Sequence, residues 1–459
     1  MNIFNIYKHL PIWIQNRLVS IQGAYLDKKR HGSQFPQRLD ELILSEKWTS
    51  EQIKLYKEEQ IAKILIYAYK HVPFYKRHFD AHNICPSDFK CIADLRKFPI
   101  LTKDDVRNNF EDMISDEFDV HTLTKYHTSG STGTALDFYW TDHNTQIYWA
   151  LIWRARRRFG IHKGDCHLNF TGKLVCPLKQ QRPPYWRFNK AANQYMLNMQ
   201  HITQEKVADI VKFINETDFR FFTGYPSIIN SLATLIEENG LEVTHSPAFI
   251  FTGAEKVYDN QRILIERVFK GARIIEHYGF SEEAACADKC FLGNYHEDIE
   301  LGHMELANPI TCKDGISGQL LVTGFQNLAM PFIRYEVGDT ATFATHECKC
   351  GLHSQLILDI DGRNEDYIIT PEGTHIMRMD YIFKDSAKIR ESQIVQKEKG
   401  SIIIRIVRRE NYDISEERKI RKIIKEMISP TIKVNFEYVN KIERTRAGKY
   451  KAIVSLLKD

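Results

Sequence analysis

The sequence contains no long hydrophobic run. No uninterrupted apolar stretch among its 459 residues approaches the roughly 18 residues of a membrane-spanning helix. The sequence shows no internal repeats, no low-complexity tracts and no signal-peptide pattern at its start. A net charge of +4, from 63 basic and 59 acidic residues, is too small to indicate a nucleic-acid partner. The nine cysteines are odd in number and scattered, so we expect thiols or metal ligands in a cytoplasmic protein rather than disulfides.

One apolar stretch near the start needs a separate interpretation. Residues 3–14 are mostly hydrophobic but include Lys8, and Arg17 follows. Such a segment could lie on a membrane surface, or it could pack against the flank of its own domain. The second interpretation is favoured.

The length exceeds what one hydrophobic core usually supports, so at least two domains are expected. The first 120 residues are mostly helical in pattern. From about residue 123, short apolar runs bounded by Gly, Thr and Pro alternate with helical patterns, which indicates an α/β domain. The predicted buried strands are residues 219–223, 248–252, 273–277 and 319–323. A turn at 361–364 separates this large domain (1–361) from a small α+β lid (362–459), which has a predicted hairpin at 390–408 and an amphipathic helix from Ser415.

A loop of hydroxyl residues and glycines lies between two predicted strands. Glycines let backbone N–H groups approach phosphate oxygens, and hydroxyls add donors without bulk. The loop lacks the Gly-Lys-Ser/Thr of a Walker A sequence, and by itself it could be a flexible turn. Its residues are Thr128, Ser129, Gly130, Ser131, Thr132, Gly133 and Thr134.

Five further short motifs follow this loop. They are Gly253-Ala254-Glu255, residues 278–282 (YGFSE), residues 334–339 (RYEVGD), Gly362-Arg363 and residues 444–449 (RTRAGK). In this order the set resembles the adenylate-forming superfamily of acyl-CoA ligases, luciferases and peptide-synthetase adenylation domains. Within it, the chain resembles the phenylacetate–CoA ligase-like branch, and residues 56–75 resemble proteins of capsular polysaccharide clusters.

The resemblance implies a role for each matched position. The loop at 128–134 would hold the β- and γ-phosphates of ATP, and Lys449 would contact both the substrate carboxylate and the α-phosphate. Glu282 would bind Mg²⁺, a hard cation suited to carboxylate oxygen. The remaining implied ATP-binding residues are Gly253, Ala254, Glu255, Tyr278 (stacked on adenine), Ser281, Asp339 (on the ribose) and Arg363. Taken singly, each of these residues has an ordinary structural alternative, such as a turn aspartate or a surface lysine.

Two positions depart from the family pattern. Ala135 and Leu136 follow the loop where many relatives carry a lysine, so one phosphate contact would be missing. Glu365 occupies the hinge position that often holds Asp or Lys, and the small domain of the family rotates about that point between the two half-reactions.

A metal site is also predicted. Three thiolates and an imidazole suit tetrahedral Zn²⁺, and closed Cys₃His ligation would be structural rather than catalytic. Some phenylacetate–CoA ligase-like proteins carry zinc at this place, while unliganded thiols are the alternative. The candidate ligands are Cys290, His296, Cys348 and Cys350.

The resemblance therefore implies an AMP-forming ligase that joins a carboxylic acid to AMP and passes the acyl group to an acceptor. The acceptor would be CoA or an amine, in surface polysaccharide biosynthesis or in a phenylacetate–CoA ligase-like reaction. A nucleotide-binding scaffold without catalysis is the rival hypothesis, and a zinc-centred nucleic-acid-binding module is weaker still. An arginine in the acid pocket would suit a second acidic or polar group, whereas Trp and Tyr alone would suit an aromatic acid. The predicted pocket residues are Trp149, Trp153, Arg154, Tyr225 and Pro226, although the two tryptophans could equally be core residues.

Overall fold

The structure, a computed structural model, describes residues 6–127, 136–257, 259–361, 367–376, 379–383, 388–408, 412–442 and 453–457. No helix in these ranges is both long and apolar enough to cross a membrane. The predicted domain boundary between residues 361 and 362 adjoins residues outside these ranges and stays a prediction.

Helices dominate the first 120 residues. They are α1 (Ile12–His31), α2 (Phe35–Ser45), α3 (Ser50–His71), α4 (Pro73–Ala81) and α5 (Lys103–Asn108). Thr49 and Gln52 form a capping box that satisfies free backbone N–H groups at the start of α3. The buried face of α3 packs into a core shared with the later strands, and Lys57 on this helix forms a buried ion pair with Glu297.

Helix α1 packs against the α/β part of the chain. It overlaps only the last residues of the apolar stretch 3–14, and the packing predicted for that stretch stays a prediction. Gln15 Oε1 accepts a hydrogen bond from Arg187 Nε (2.7 Å). Gly23 lets the helix approach closely, because a Cβ there would lie 2.1 Å from Asn189 Oδ1. Trp13, on the other side of the helix, is 62% exposed.

Twelve strands of the described residues form one mixed sheet. Its parallel part runs in the order β5 (Gln194–Asn198), β3 (His167–Thr171), β6 (Phe221–Gly224), β7 (Phe249–Gly253) and β8 (Arg273–Gly279). The strand β4 (Trp186–Asn189) is antiparallel to β5 at the edge. A short hairpin of β1 (Thr124–His127) and β2 (Asp137–Trp140) lies outside this sheet.

Helices cover both faces of the parallel strands, which is why their sequences are nearly continuous apolar runs. Helices α7 (Val207–Asn215), α8 (Pro226–Glu238) and α9 (Asp259–Val268) contribute to one core. Helix α6 (Asp142–Arg157) packs with α2 against residues such as Phe221, which belong to a different core cluster.

Beyond β8 the sheet continues with antiparallel strands. These are β9 (Cys286–Lys289), β10 (Tyr295–Glu297), β14 (Leu356–Asp361), β13 (Tyr335–Ala344), β12 (Gly315–Gly324) and β11 (Gly302–Cys312), in that spatial order. Gly302 lies where strands approach very closely, because a Cβ there would be 2.0 Å from Ala284 O.

The C-terminal part forms smaller units. Strands β15 (Ile368–Ile369) and β16 (His375–Ile376) pair with each other. A four-stranded sheet contains β19 (Lys433–Tyr438), β18 (Ser401–Arg408), β17 (Ile389–Glu398) and β20 (Ile453–Ser455), and helix α10 (Ser415–Met427) follows β18 in the chain. A large α/β part followed by a smaller α+β part is the fold class predicted from the sequence, and it is confirmed.

Candidate active site

A cavity of about 1840 Å³ lies at the carboxyl edge of the parallel strands. The ends of β3, β6, β7 and β8 all reach it, at Thr171, Gly224, Gly253 and Gly279. In open α/β sheets, ligands bind in the crevice outside the carboxyl ends of the strands. The topology therefore gathers four loops, distant in the chain, around one space.

Small residues and unusual backbone conformations open this space. Gly224 has φ +156° and a Cβ there would lie 2.7 Å from Phe170 Cβ. A Cβ at Gly279 would lie 2.7 Å from Tyr148 Oη. Ala254 has φ +67°, in the left-handed region that is uncommon for a residue with a side chain. Strained backbone of this kind concentrates at functional sites.

Two acidic residues of the predicted ATP site are held by tyrosines. The Tyr278 hydroxyl donates to Asp339 Oδ2 at 2.7 Å. The Tyr335 hydroxyl donates to Glu282 Oε1 at 2.6 Å, and both of these side chains are buried. In each pair, one carboxylate oxygen accepts the tyrosine hydrogen bond, which fixes the orientation of the carboxylate. The other oxygen takes no part in that bond. Tyr278, Asp339 and Glu282 all line the cavity.

The other predicted ATP-binding residues of the described part also lie here. Gly253, Ala254, Glu255 and Ser281 line the same cavity. Glu255 Oε2 accepts a bond from the Ser227 backbone N–H at 3.2 Å, in the first turn of α8. The structure thus brings together the predicted adenine, ribose and Mg²⁺ residues.

A chain of hydrogen bonds lies beside them. His277 Nδ1–H donates to Asp288 Oδ1 at 2.9 Å, and Tyr148 Oη lies 2.9 Å from His277 Nε2. Burial opposes protonation of His277, but the charge and hydrogen bond of Asp288 raise its pKa above the usual value. Next to Glu282, Glu283 has its pKa raised to about 8 by burial, and Asn144 Nδ2 donates to it at 3.0 Å.

Seven lysines and arginines line the cavity, and the sequence analysis named none of them. The Arg30 guanidinium stacks on the Trp149 ring at 4.1 Å, and the Arg156 guanidinium stacks on the Trp153 ring at 4.6 Å. Lys173 follows the end of β3 and also lines the cavity.

The predicted pocket residues divide into two groups. Trp149, Trp153 and Tyr225 line the cavity. Pro226 is buried at the first position of α8 and is not among the described residues that line the cavity.

Arg154 is a correction to the predicted pocket, because it is not among the lining residues that the structure describes. Its guanidinium is 3% exposed and binds Asp298 at 2.6 Å and Glu300 at 2.7 Å. The sequence analysis assigned the charge of Arg154 to the substrate. In the structure this charge is paired with two buried carboxylates of the protein itself.

Several predicted residues lie outside the described part of the chain. These are the loop residues Thr128, Ser129, Gly130, Ser131, Thr132, Gly133 and Thr134, and also Arg363, Glu365 and Lys449. Their roles stay predictions.

The four predicted metal ligands meet in space. One ligand atom from each of Cys290, His296, Cys348 and Cys350 lies within 4.8 Å of all the others. Cys290 Sγ and Cys348 Sγ are 3.9 Å apart, and Cys350 Sγ is 3.3 Å from His296 Nε2. Zn–S bonds of about 2.3 Å at tetrahedral angles place two sulfurs about 3.8 Å apart. The donor set and its spacing therefore fit one tetrahedral zinc ion.

The comparisons with known proteins find similarity to the kinds of protein that the motifs resemble. Residues 368–456 match the family model described as the CapK C-terminal domain. The chain is 27% identical to protein CapK of Staphylococcus aureus over 461 aligned residues, which cover 99% of each chain. It is also 27% identical to the phenylacetate–coenzyme A ligase of Pseudomonas putida, over 69% of this chain and 72% of that one.

Solved structures agree on the fold. A 2-hydroxyisobutyryl-CoA ligase, crystallised with 2-HIB-AMP and CoA in the thioesterification state, superposes with a TM-score of 0.57. The identity is 18%, with 89% of this chain and 91% of that chain covered. The predicted enzyme class, AMP-forming ligases, is the class of these relatives. The chain is therefore related to CapK and to the phenylacetate–coenzyme A ligases, and it has the fold of the adenylate-forming ligases.

Proposed function

We propose that this protein is an ATP-dependent, AMP-forming carboxylate ligase that works in surface polysaccharide biosynthesis. The observation that carries the proposal is the cavity at the carboxyl edge of β7 and β8, where Asp339 and Glu282 are each held by a tyrosine hydroxyl. The full-length similarity to CapK supports the polysaccharide role. The cytoplasmic location stays a prediction.

In this proposal each residue has a distinct task. Asp339 accepts hydrogen bonds from the ribose hydroxyls through the oxygen that Tyr278 leaves available. Glu282 holds Mg²⁺, which would reduce the repulsion between the triphosphate and the incoming carboxylate. Lys449 would neutralise the same repulsion from the lid.

The reaction then has two steps. A carboxylate oxygen of the acid attacks the α-phosphorus of ATP, the bond from that phosphorus to the bridging oxygen breaks, and pyrophosphate leaves. In the second step the acceptor attacks the acyl carbon, the mixed anhydride bond breaks and AMP leaves. The proton of the acceptor passes to solvent or to a base in the cavity.

The acceptor has two candidates. The similarity to the phenylacetate–coenzyme A ligases favours CoA, and the 2-hydroxyisobutyryl-CoA ligase with this fold was crystallised with CoA. An amine on a sugar or amino acid is the second candidate, because an acyl-adenylate is attacked by an amine as well as by a thiol. Product analysis with each acceptor distinguishes a thioester from an amide.

The decisive experiment is carboxylate-dependent ATP–pyrophosphate exchange over a panel of aromatic, amino, dicarboxylic and uronic acids. We expect exchange with one class of acid and a loss of 10²–10³ in rate for Lys449→Ala. Asp339→Asn should weaken ATP binding. Asp104→Asn, at an exposed carboxylate, is the matched control. ATP binding without exchange for any acid would favour the scaffold hypothesis instead.

We further propose that Cys290, His296, Cys348 and Cys350 hold a structural zinc ion. Metal analysis of purified protein should find close to one zinc per chain. Cys348→Ser should lower both the zinc content and the melting temperature, whereas Cys312→Ser, at an exposed cysteine, should change neither. Stable protein without metal would refute this proposal.

A further inference from the structure

The cavity extends between α1, α6 and the sheet. The Arg156 guanidinium lies 5.3 Å from the Phe221 ring of β6 and 5.6 Å from the Phe251 ring of β7. Arg30 lies near Glu283, the neighbour of the proposed Mg²⁺ ligand Glu282. This part of the cavity therefore adjoins the residues assigned to the nucleotide, where the acid has to meet the α-phosphate.

Cations and acids both line this part of the cavity. Arg30 comes from α1, Arg156 from α6 and Lys173 from the loop after β3. No direct ion pair joins the three to a carboxylate of the described residues, although Asp27 and Glu283 act on Arg30, and Asp288 acts on Arg156, from a greater distance. Both guanidinium groups lie over tryptophan rings, a contact that uses none of their N–H groups and leaves these as hydrogen-bond donors.

These charges are costly as they stand. Burial lowers the pKa of Arg156 to about 10. Burial and the neighbouring charge of Arg30 also lower the pKa of Lys173. Like charges that share one desolvated space repel each other, and an anion placed between them removes that cost.

The surrounding side chains are also polar. Asn169 Nδ2 donates to Thr223 Oγ1 at 2.9 Å between the adjacent strands β3 and β6. Asn189, 7% exposed, also lines the cavity, with its side chain packed against Gly23 of α1.

We propose that the acid activated by this enzyme is polar and carries a second anionic group, which Arg30 and Arg156 bind between α1 and the sheet. This inference rests on the proposed ligase function and names its substrate class. It accounts for the two tryptophans as well. Because each presents a ring face to an arginine, they serve as platforms for cations rather than as an open slot for a phenyl ring.

The test compares acids that differ by one carboxylate. We choose adipate against hexanoate, and 4-(carboxymethyl)benzoate against phenylacetate, in ATP–pyrophosphate exchange. The dicarboxylate of each pair should have a KM about 10- to 100-fold lower, the range expected for charge-assisted hydrogen bonds. Arg30→Gln and Arg156→Gln should abolish that difference in KM between the two acids of each pair.

Three controls separate the possible sources of the effect. Arg156→Lys keeps the charge and should retain part of the preference, which a purely structural role of Arg156 would not predict. Arg77→Gln, at an exposed arginine paired with Asp112, should change nothing. The triphosphate of ATP is a second possible anion at this place, so the KM for ATP is measured for each variant. A rise in the KM for ATP without a change in preference between acids overturns the proposal.

A direct binding experiment covers the case in which no acid supports exchange. Calorimetric titration of the protein with adipate and hexanoate then decides, with Arg156→Gln as the comparison. Binding of adipate that is lost in Arg156→Gln supports the anion site even though the ligase proposal has failed. Equal or absent binding of both acids refutes it, as does a native preference for phenylacetate over 4-(carboxymethyl)benzoate.

Discussion

Replacing Arg154 by methionine should destabilise the protein without acting on the substrate. Arg154 is 3% exposed, and it donates to Asp298 at 2.6 Å, to Glu300 at 2.7 Å and to Leu42 O at 3.1 Å. Methionine fills similar volume but removes the counter-ion that the two buried carboxylates share, which leaves Asp298 with Arg158 alone, at 3.6 Å. Removing one partner of a buried ion pair typically costs about 3–5 kcal/mol. That loss is a large part of the roughly 5–15 kcal/mol that stabilises a folded domain.

Urea denaturation followed by circular dichroism measures the change in the free energy of unfolding. Arg157→Met is the matched control, because Arg157 is on the same helix but exposed, and its effect should stay within about 0.5 kcal/mol. Adding Asp298→Asn and Glu300→Gln to Arg154→Met should recover part of the loss, since the uncompensated charges are then gone. If Arg154→Met unfolds at the same urea concentration as Arg157→Met and instead raises the KM for the acid, the structural account of Arg154 is wrong.

Three further predictions concern pH, packing and metal binding. His201 is fully buried, and desolvation together with the Lys206 charge lowers its pKa to about 3. The unfolded state therefore binds more protons than the folded state below pH 6.5. Lowering the pH from 7 to 5 should reduce the free energy of unfolding by about 2 kcal/mol through this residue. Thermal melts of His201→Gln should show a weaker dependence on pH than the native protein, and an unchanged slope would contradict the assignment. Gly302→Ala should reduce the yield of soluble protein, because its Cβ would lie 2.0 Å from Ala284 O. Gly172→Ala, whose Cβ would make only an ordinary contact with Met199 Sδ at 3.5 Å, should be milder, and equal yields would refute this. Tyr335→Phe removes the hydroxyl that orients Glu282 and should raise the Mg²⁺ concentration needed for half-maximal exchange about 10- to 100-fold, while an unchanged Mg²⁺ dependence would argue against Glu282 as the ligand.

Much of the fold could be predicted because buried parallel strands have a clear local signature. The apolar runs at 219–223, 248–252 and 273–277 correspond to β6, β7 and β8, and the helix expected from Ser415 is α10. The order of the strands across the sheet could not be predicted, since β3 pairs with β5 and β6 through contacts between residues far apart in the chain. The packing of α1 against β4 depends on one small residue, Gly23, whose importance only the three-dimensional contact reveals.

The site was predictable to the extent that its residues follow strands in sequence. Gly253 and Tyr278 belong to motifs at the ends of β7 and β8, so the carboxyl edge brings them together. The four metal ligands were recognised by residue type, and antiparallel pairing of β10 with β14 brings His296 towards the cysteines that precede β14. The tyrosine contacts of Asp339 and Glu282 gave no sequence signal, because their partners lie 61 and 53 residues away.

The choice of the wrong arginine follows from helical geometry. Trp149, Trp153 and Arg156 are spaced four and three residues apart, so they share one face of α6 and meet the cavity together. Arg154 follows Trp153 directly and is therefore rotated by about 100° around the helix axis. It faces two carboxylates from a distant part of the chain, Asp298 and Glu300, which no local pattern could have indicated. Helical spacing alone would have selected Arg156. The proposed variants distinguish the two arginines, because changes at Arg154 should alter stability, whereas changes at Arg156 should alter the KM for the acid.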